Sequence, residues 1–473
     1  MAWLRALALA LFVALTGTLA AYHEPWRDEA DAWLMARDAG VGEVFGYAGY
    51  SGTPALWYLV QMPFAKAGAG YATQRYVHLV IAIAAAGLLL FRAPFPFPLR
   101  LALAFGYFLS FEYAVIARNY SAGILLCFVA LAMDRQRGRL APLYGLVLGL
   151  AANTSVHFLL FAVALGLPLA WEARRERGDA RRWLGVALAG AGIGLAVWQL
   201  WPAPDGQFPP ELVPHVEAHR IRETLSQALV PHRTGFWTEV VGALAVGLTL
   251  ARLYTAPRAA FVFGLVAAGL LALFVFKYVA GVRHYGLFLV AIVAAWWLAE
   301  GEPDVPRRSL RHRVLAAGLC IVLVPSVVQA AHAWRREVRF AYSEAGDMAR
   351  FLESHRLERA WIAGHSPASA SAVLAFLPRR RFWYPALGDE GSHMKWDARY
   401  AASRTAPLGL VVTRVKARRP DWRDAEEPVL LLLNAPWPDA AREGFRLLYR
   451  TPGRQWGPPD ETFYLYEPDR RQP

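Results

Sequence analysis

Along the first 333 residues, nearly uncharged apolar runs alternate with short polar loops. Runs of roughly 17 to 22 residues are long enough to cross a ~30 Å hydrocarbon core as helices. The pattern predicts spans at about 3–21, 73–91, 99–112, 115–133, 140–154, 156–171, 183–201, 236–254, 259–277, 284–299 and 314–332. One alternating set of loops is rich in arginine: FRAPFPFPLR (91–100), DRQRGR (134–139), WEARRERGDARR (171–182), the turn around Arg252 and Arg258, and PRRSLRHR (306–313). By the positive-inside rule this set faces the cytoplasm and the other set faces outward. Eleven spans that start inside leave everything after residue 333 outside.

The stretch SGTPALWYLVQMPFAKAG (51–68) resembles a span but is short, and it carries Gln61, Lys66, Pro54 and Pro63. A crossing there would turn every later arginine loop outward, so it is expected as an interfacial helix opened by Pro54. The outer loop then runs from 22 to 72, with a first amphipathic helix near 28–38. The N-terminus (Arg5, an apolar stretch, then Thr18, Leu19 and Ala20) fits a signal peptide, but the spans that follow favour an uncleaved first helix.

After residue 333 the pattern changes. AYSEAGDMARFLESHRLERAWIAG reads as an amphipathic helix leading into a strand. SPASASAVLAFLP, LGLVVTRV, EPVLLLLNAPW, a late helix over AAREGFRLLYR and a strand FYLYEP follow, which together predict a small α/β domain over 334–473.

Composition agrees with a membrane protein: 473 residues, 56% hydrophobic and 18% charged. The net charge of +13 does not point to nucleic acid, because the arginines lie in loops between apolar runs. Cys127 and Cys320 sit inside apolar segments and build neither a disulfide framework nor a CxxC site. No Walker or GxGxxG motif is present, so no nucleotide cofactor is expected.

Four outward stretches carry candidate chemistry. HEPWRDEADAW (23–33) places Asp28 and Glu29 at a helix start, where the dipole favours acid and Asp28 could simply cap the helix. Glu24 and Asp31 read as a solvated loop and helix face. FEYAVIARNYSAG (111–123) holds Glu112, Arg118, Asn119 and Tyr120 at the membrane boundary. They could line a watery cavity, or Glu112 and Arg118 could pair to tie a hairpin. FKYVAGVRHYG (276–286) brings Lys277, Arg283 and His284, either as snorkelling cations or as an anion site. PHVEAHRIRE offers His215 and His219 at i, i+4, but without an HExxH order or an identifiable third ligand no metal site is assigned. His157 reads as a hydrogen-bonded buried histidine.

A carboxylate beside cations at a membrane surface suits a lipid-linked phosphate substrate, with the acid as base and the cations holding the departing phosphate. A transporter or flippase of lipid-linked intermediates remains open, as does an assembly protein whose C-terminal domain does the binding.

In order, WRDEADAW, SGTPALWY, FEYAVIARNY and VRHYG resemble the GT-C superfamily of membrane glycosyltransferases, over roughly residues 1–300. The likeness is to bacterial relatives of protein O-mannosyltransferases and of the lipid A aminoarabinose transferase. It implies catalysis by Asp28 with Glu29 as partner, a cavity lined by Arg118 and Tyr120, and donor-phosphate contact near Arg283 and His284. Glu112 and Lys277 join the expected substrate-binding set. The implied reaction moves a sugar from a polyprenyl-phosphate carrier to a lipid, glycan or protein acceptor at the periplasmic face of a bacterial inner membrane. No cofactor is expected; the family is mixed in metal use. Thr53 and Ala55 depart from the His and second Pro of the family's surface-helix motif.

Overall fold

The computed structural model describes residues 2–207, 218–301, 309–377 and 380–469. His215 and Glu217 lie outside these residues. Among the described residues, eight helical runs are long and apolar enough to cross a membrane. They are α1 (Ala2–Tyr22), α5 (Ala72–Arg92), α9 (Val156–Arg175), α10 (Ala180–Gln199), α12 (Phe236–Leu253), α13 (Pro257–Phe276), α14 (Val282–Ala299), and the joined pair α15 (Leu310–Val322) and α16 (Val324–Arg339). Between α1 and α5 come α2 (Arg27–Asp38), α3 (Val41–Ser51) and α4 (Leu56–Lys66). α6 (Phe97–Ala104), α7 (Tyr120–Met133) and α8 (Ala141–Ala152) complete the first half of the bundle, and α11 (Ala218–Leu229) precedes α12.

Three expected spans are therefore shorter than predicted. The run 99–112 breaks after Ala104 and resumes as a π turn over Phe108–Glu112. The run 115–133 becomes helical only at Tyr120, and 140–154 contracts to twelve residues. The non-helical backbone before Tyr120 is buried, so its polar groups need partners. Ala117 N–H donates to the Glu29 carboxylate at 2.6 Å, and Gln74 Nε2 donates to Ala117 O at 3.3 Å. Hydropathy does not register such a break, since every residue from Tyr113 to Ala117 is apolar or aromatic.

α8 and α10 pack at glycine distance. A Cβ on Gly145 would meet Gly185 O at 2.0 Å, and one on Gly192 would meet Gly149 Cα at 2.3 Å. Small residues let two helix backbones approach this closely where no hydrophobic force drives association. Exposed aromatics ring both ends of the bundle: Tyr22, Tyr76, Trp201 and Trp237 at one, Trp3, Trp171, Trp183 and Tyr254 at the other. Such belts mark the two interfaces of a membrane-embedded bundle, and the arginine-rich loops gather at the second end.

The C-terminal unit is a mixed six-stranded sheet in the order β3-β2-β1-β4-β6-β5, built from β1 (Trp361–Gly364), β2 (Phe382–Tyr384), β3 (Asp389–Gly391), β4 (Val429–Leu433), β5 (Phe445–Arg450) and β6 (Tyr464–Pro468). The central β1 and β4 run parallel with Ile362 opposite Leu430, and β6 pairs antiparallel to β4. β4 reads VLLLL because both of its faces are covered. Val429, Leu431 and Leu433 meet α20 (Leu408–Arg418). Leu430 and Leu432 face α17 (Ala345–Ser354) and α18 (Pro367–Leu374), and share that core with Trp33, Tyr47 and Trp57 of α2 to α4. A short α19 (Ala398–Ser403) lies between β3 and α20.

The predicted late helix over 440–450 is corrected: a single 3₁₀ turn ends at Gly444 in the left-handed region (φ +81°), and the next six residues form β5. Glycine ends helices in this way because it alone enters that region without strain. α4 does not lie free on a surface. It packs on α2, with Trp57 and Tyr58 buried and Gln61 fully enclosed.

Candidate functional site

α2 begins after Trp26, and the residue that caps its start is Glu29, whose Oε2 accepts the Trp26 N–H at 3.3 Å. That is the reaching-back half of a capping box. Asp28, one residue earlier, caps nothing and turns to the other side of the helix. There it accepts a hydrogen bond from Arg118 and pairs with Arg283 Nη2 at 3.2 Å. Arg118 comes from the broken segment before α7, and Arg283 from the first turn of α14. Burial raises the Asp28 pKa, but Arg118, Arg283 and Arg27 outweigh it and hold the group at about 2, firmly ionised.

Asp28 lies on the wall of a cavity of about 780 Å³, within the size range of ligand pockets. Arg118, Tyr120, Lys277, Arg283 and His284 line the same cavity, so six of the eight expected site residues converge there from α2, the loop before α7 and the start of α7, the end of α13 and the start of α14. Arg283 also stacks over Trp26 at 5.5 Å, and its carbonyl accepts the Tyr113 hydroxyl at 2.5 Å. His284 Nδ1 accepts the Gly281 N–H at 2.9 Å, which leaves a neutral ring's proton on Nε2.

Glu29 and Glu112 lie elsewhere. Glu29 is 1% exposed and bonds His23 Nε2 at 2.9 Å, while His23 Nδ1 meets Glu337 of α16 at 2.8 Å. Burial favours a neutral His23 ring, but the two carboxylates raise its pKa to about 10. Glu29 therefore anchors the first turn of α2, which carries Asp28. Glu112 accepts the Tyr107 hydroxyl at 2.9 Å, a hydroxyl that also meets His232. No ion pair joins Glu112 to Arg118, whose carboxylate partner is Asp28.

Several lining residues had no counterpart among the expected ones. Arg27 lines the cavity and pairs with Asp460 and Glu461 of the C-terminal unit. Asp31, expected on a solvated face, lines the cavity too. Its oxygens accept Met394 N–H at 2.7 Å and the Tyr47 hydroxyl at 2.8 Å, and burial raises its pKa. The i, i+3 spacing from Asp28 is the sequence signal that puts both acids on one helix face. Glu24 is likewise engaged, accepting Arg350 Nη1 at 2.9 Å. His157 is buried and bonded to the Tyr278 hydroxyl as expected, and it also lines the cavity, stacked on His284 at 5.3 Å.

Below the charged rim the lining turns apolar, with Leu160 of α9 and Gly269, Leu273 and Phe276 of α13. A Cβ on Gly269 would press Leu160 at 2.9 Å, so glycine keeps this floor open. Among the described residues, no group of three or more His, Cys, Asp or Glu side chains is close enough together to hold a metal ion. His219 lies exposed in the first turn of α11.

The chain matches no known protein-family model, and no curated protein is similar to it at a significant level.

Proposed function

We propose that the protein is an inverting glycosyltransferase that moves a sugar from a polyprenyl-phosphate carrier to a lipid, glycan or protein acceptor. The observation that carries this reading is Asp28 on the cavity wall, ionised between Arg118 and Arg283 above an apolar crevice. An anionic headgroup on a long apolar tail is the ligand chemistry that matches both parts. The order of motifs resembling the GT-C superfamily points the same way. The loops at the cavity end hold fewer arginines than those at the other end, which by the positive-inside rule supports an outward-facing cavity with the α/β unit in the periplasm of a bacterial inner membrane.

In the reaction, an acceptor O–H or N–H attacks the anomeric carbon from the side opposite the phosphate. Its proton passes to Asp28, and the bond from anomeric carbon to phosphate oxygen breaks. The electron pair leaves on polyprenyl phosphate, and configuration inverts. A carboxylate with a pKa near 2 is a weak base while two arginines hold it. The donor phosphate relieves this by drawing Arg283 and Arg118 onto itself, so the acid gains basicity as the donor binds. The same cations then stabilise the charge that develops on the leaving phosphate.

The test is mass spectrometry of lipid-linked sugars and envelope glycans in cells with the gene, without it, and with Asp28→Asn. A polyprenyl-phosphate sugar should accumulate equally in the null and the variant. Normal glycans in the Asp28→Asn strain, as a transporter or a non-catalytic assembly protein would give, overturn the assignment.

A further inference from the structure

The cavity has two chemically different walls. Arg118, Arg283 and Lys277 make one cationic; the other is aromatic and carries the acid Asp31. That second wall combines Tyr50, Tyr58 and Asp31 with Met394 and Trp396, two residues from the loop 392–397 of the C-terminal unit.

This loop is tethered to two other parts of the chain. On one, Asp31 accepts the Met394 N–H at 2.7 Å. On the other, Asp205 O accepts the Ala398 N–H at 2.8 Å, and Gln207 N–H donates to Trp396 O at 3.0 Å. Lys395 sits over the Tyr50 ring at 4.6 Å, while the Tyr50 hydroxyl donates to Asp205 at 2.5 Å. The Trp396 and Tyr400 rings pack in a T-shaped contact at 4.8 Å. Trp396 is half-buried, fixed in place and facing the cavity, although it belongs to a different unit from the charged groups.

A fixed indole face beside a carboxylate has a natural ligand. The ring face is negative, so it attracts the weakly positive C–H hydrogens on the flat side of a pyranose. Each Asp31 oxygen accepts one bond from the protein and keeps a second lone pair for a sugar hydroxyl. Such a wall disfavours phosphate and suits a neutral polyol. We infer that the loop 392–397 and Asp31 form a sugar-binding subsite, with Trp396 as the platform and a pyranose ring as the ligand. Resting on the transferase reading, that ring belongs to the acceptor, which enters across Asp28 from the donor phosphate.

The experiment uses saturation-transfer NMR on the full chain in lipid nanodiscs. The probes are methyl α-D-mannopyranoside, methyl β-D-glucopyranoside and geranyl monophosphate. Ring C–H protons of at least one glycoside should show transfer. That signal should drop at least about fivefold in Trp396→Leu and largely survive in Trp396→Phe, which keeps a π face. Saturating geranyl phosphate should leave the glycoside signal in place, because the two probes use different residues of the lining. No transfer to either glycoside, displacement of the glycoside by geranyl phosphate, or an undiminished signal in a folded Trp396→Leu protein would each overturn the subsite. The competition arm uses unaltered protein and stands whatever a variant does to folding. Arg283→Ala should weaken geranyl phosphate and spare the glycoside; if phosphate binding is unaffected, the donor reading fails while the sugar subsite stands.

Discussion

α14 joins two charge clusters that behave in opposite ways. At its start Arg283 meets Asp28, and about 25 Å along the helix axis Glu300 meets Arg252 at 2.7 Å and His312 at 3.1 Å. Around Glu300 the acids and bases roughly balance. Asp134 is held by Arg258 and Arg137, and Glu172 also takes Arg137. None of these groups lines the cavity. Around Asp28 the cations outnumber the acid, and the imbalance faces 780 Å³ of open space. The first cluster is closed off by its own pairs, whereas under the proposed function the donor phosphate completes the second. Electrostatic balance, more than charge density, separates a clamp from a site.

Substitutions at the two ends should therefore fail in different ways. Asp28→Asn should lower transfer by on the order of 10²–10⁴-fold, the usual worth of a general base, while the protein still inserts and melts near the wild-type temperature. A rate assay paired with a melt checks this, and a collapse in melting temperature would move Asp28 into the clamp class. Arg252→Ala should do the converse. It strands Glu300 in a buried setting and should cost roughly 3–5 kcal/mol of stability, with turnover per folded molecule unchanged. Arg283→Ala should raise the apparent donor KM about tenfold and change turnover of bound donor less. An unchanged donor KM would remove the phosphate role.

The smallest effect separates the groups by pH. The raised pKa of His23 means that its stabilisation is fully present below pH 6.5 and is lost as pH rises through about 10. Asp28 has a lowered pKa, so its contribution is present above 3.8 and is lost as pH falls through about 2. Melting temperature should hence be flat in the Asp28 term from pH 5 to 10 while declining at the alkaline end. His23→Gln should flatten that decline.

Much of this was legible in the chain. Hydropathy located the membrane helices, and the charge bias kept 51–68 from being counted as a crossing. The six converging residues stood out because ionisable side chains at a membrane boundary are costly unless they serve a purpose. Other features depended on contacts that a linear pattern does not carry. Asp28 and Glu29 are neighbours of the same kind, and only the helix rotation sends one to the cavity and the other to His23. The break before Tyr120 is invisible to hydropathy because its stabilising partners, Glu29 and Gln74, come from elsewhere. Trp396 reaches the cavity through a loop whose tethers lie some 190 and 360 positions earlier in the chain, at Gln207 and Asp31.

The contact between His23 and Glu337 spans 314 residues of sequence. Asp28 takes its position from Glu29, and Glu29 from His23, so the site is tied to α16, the last helix of the bundle to be made. While earlier helices enter the membrane, the cavity acid has no fixed place. A chain that stops short of α16 would insert most of its spans and still lack an ordered Asp28. Under the proposed function, a chain that stops before α16 should therefore be inactive however many of its spans have inserted.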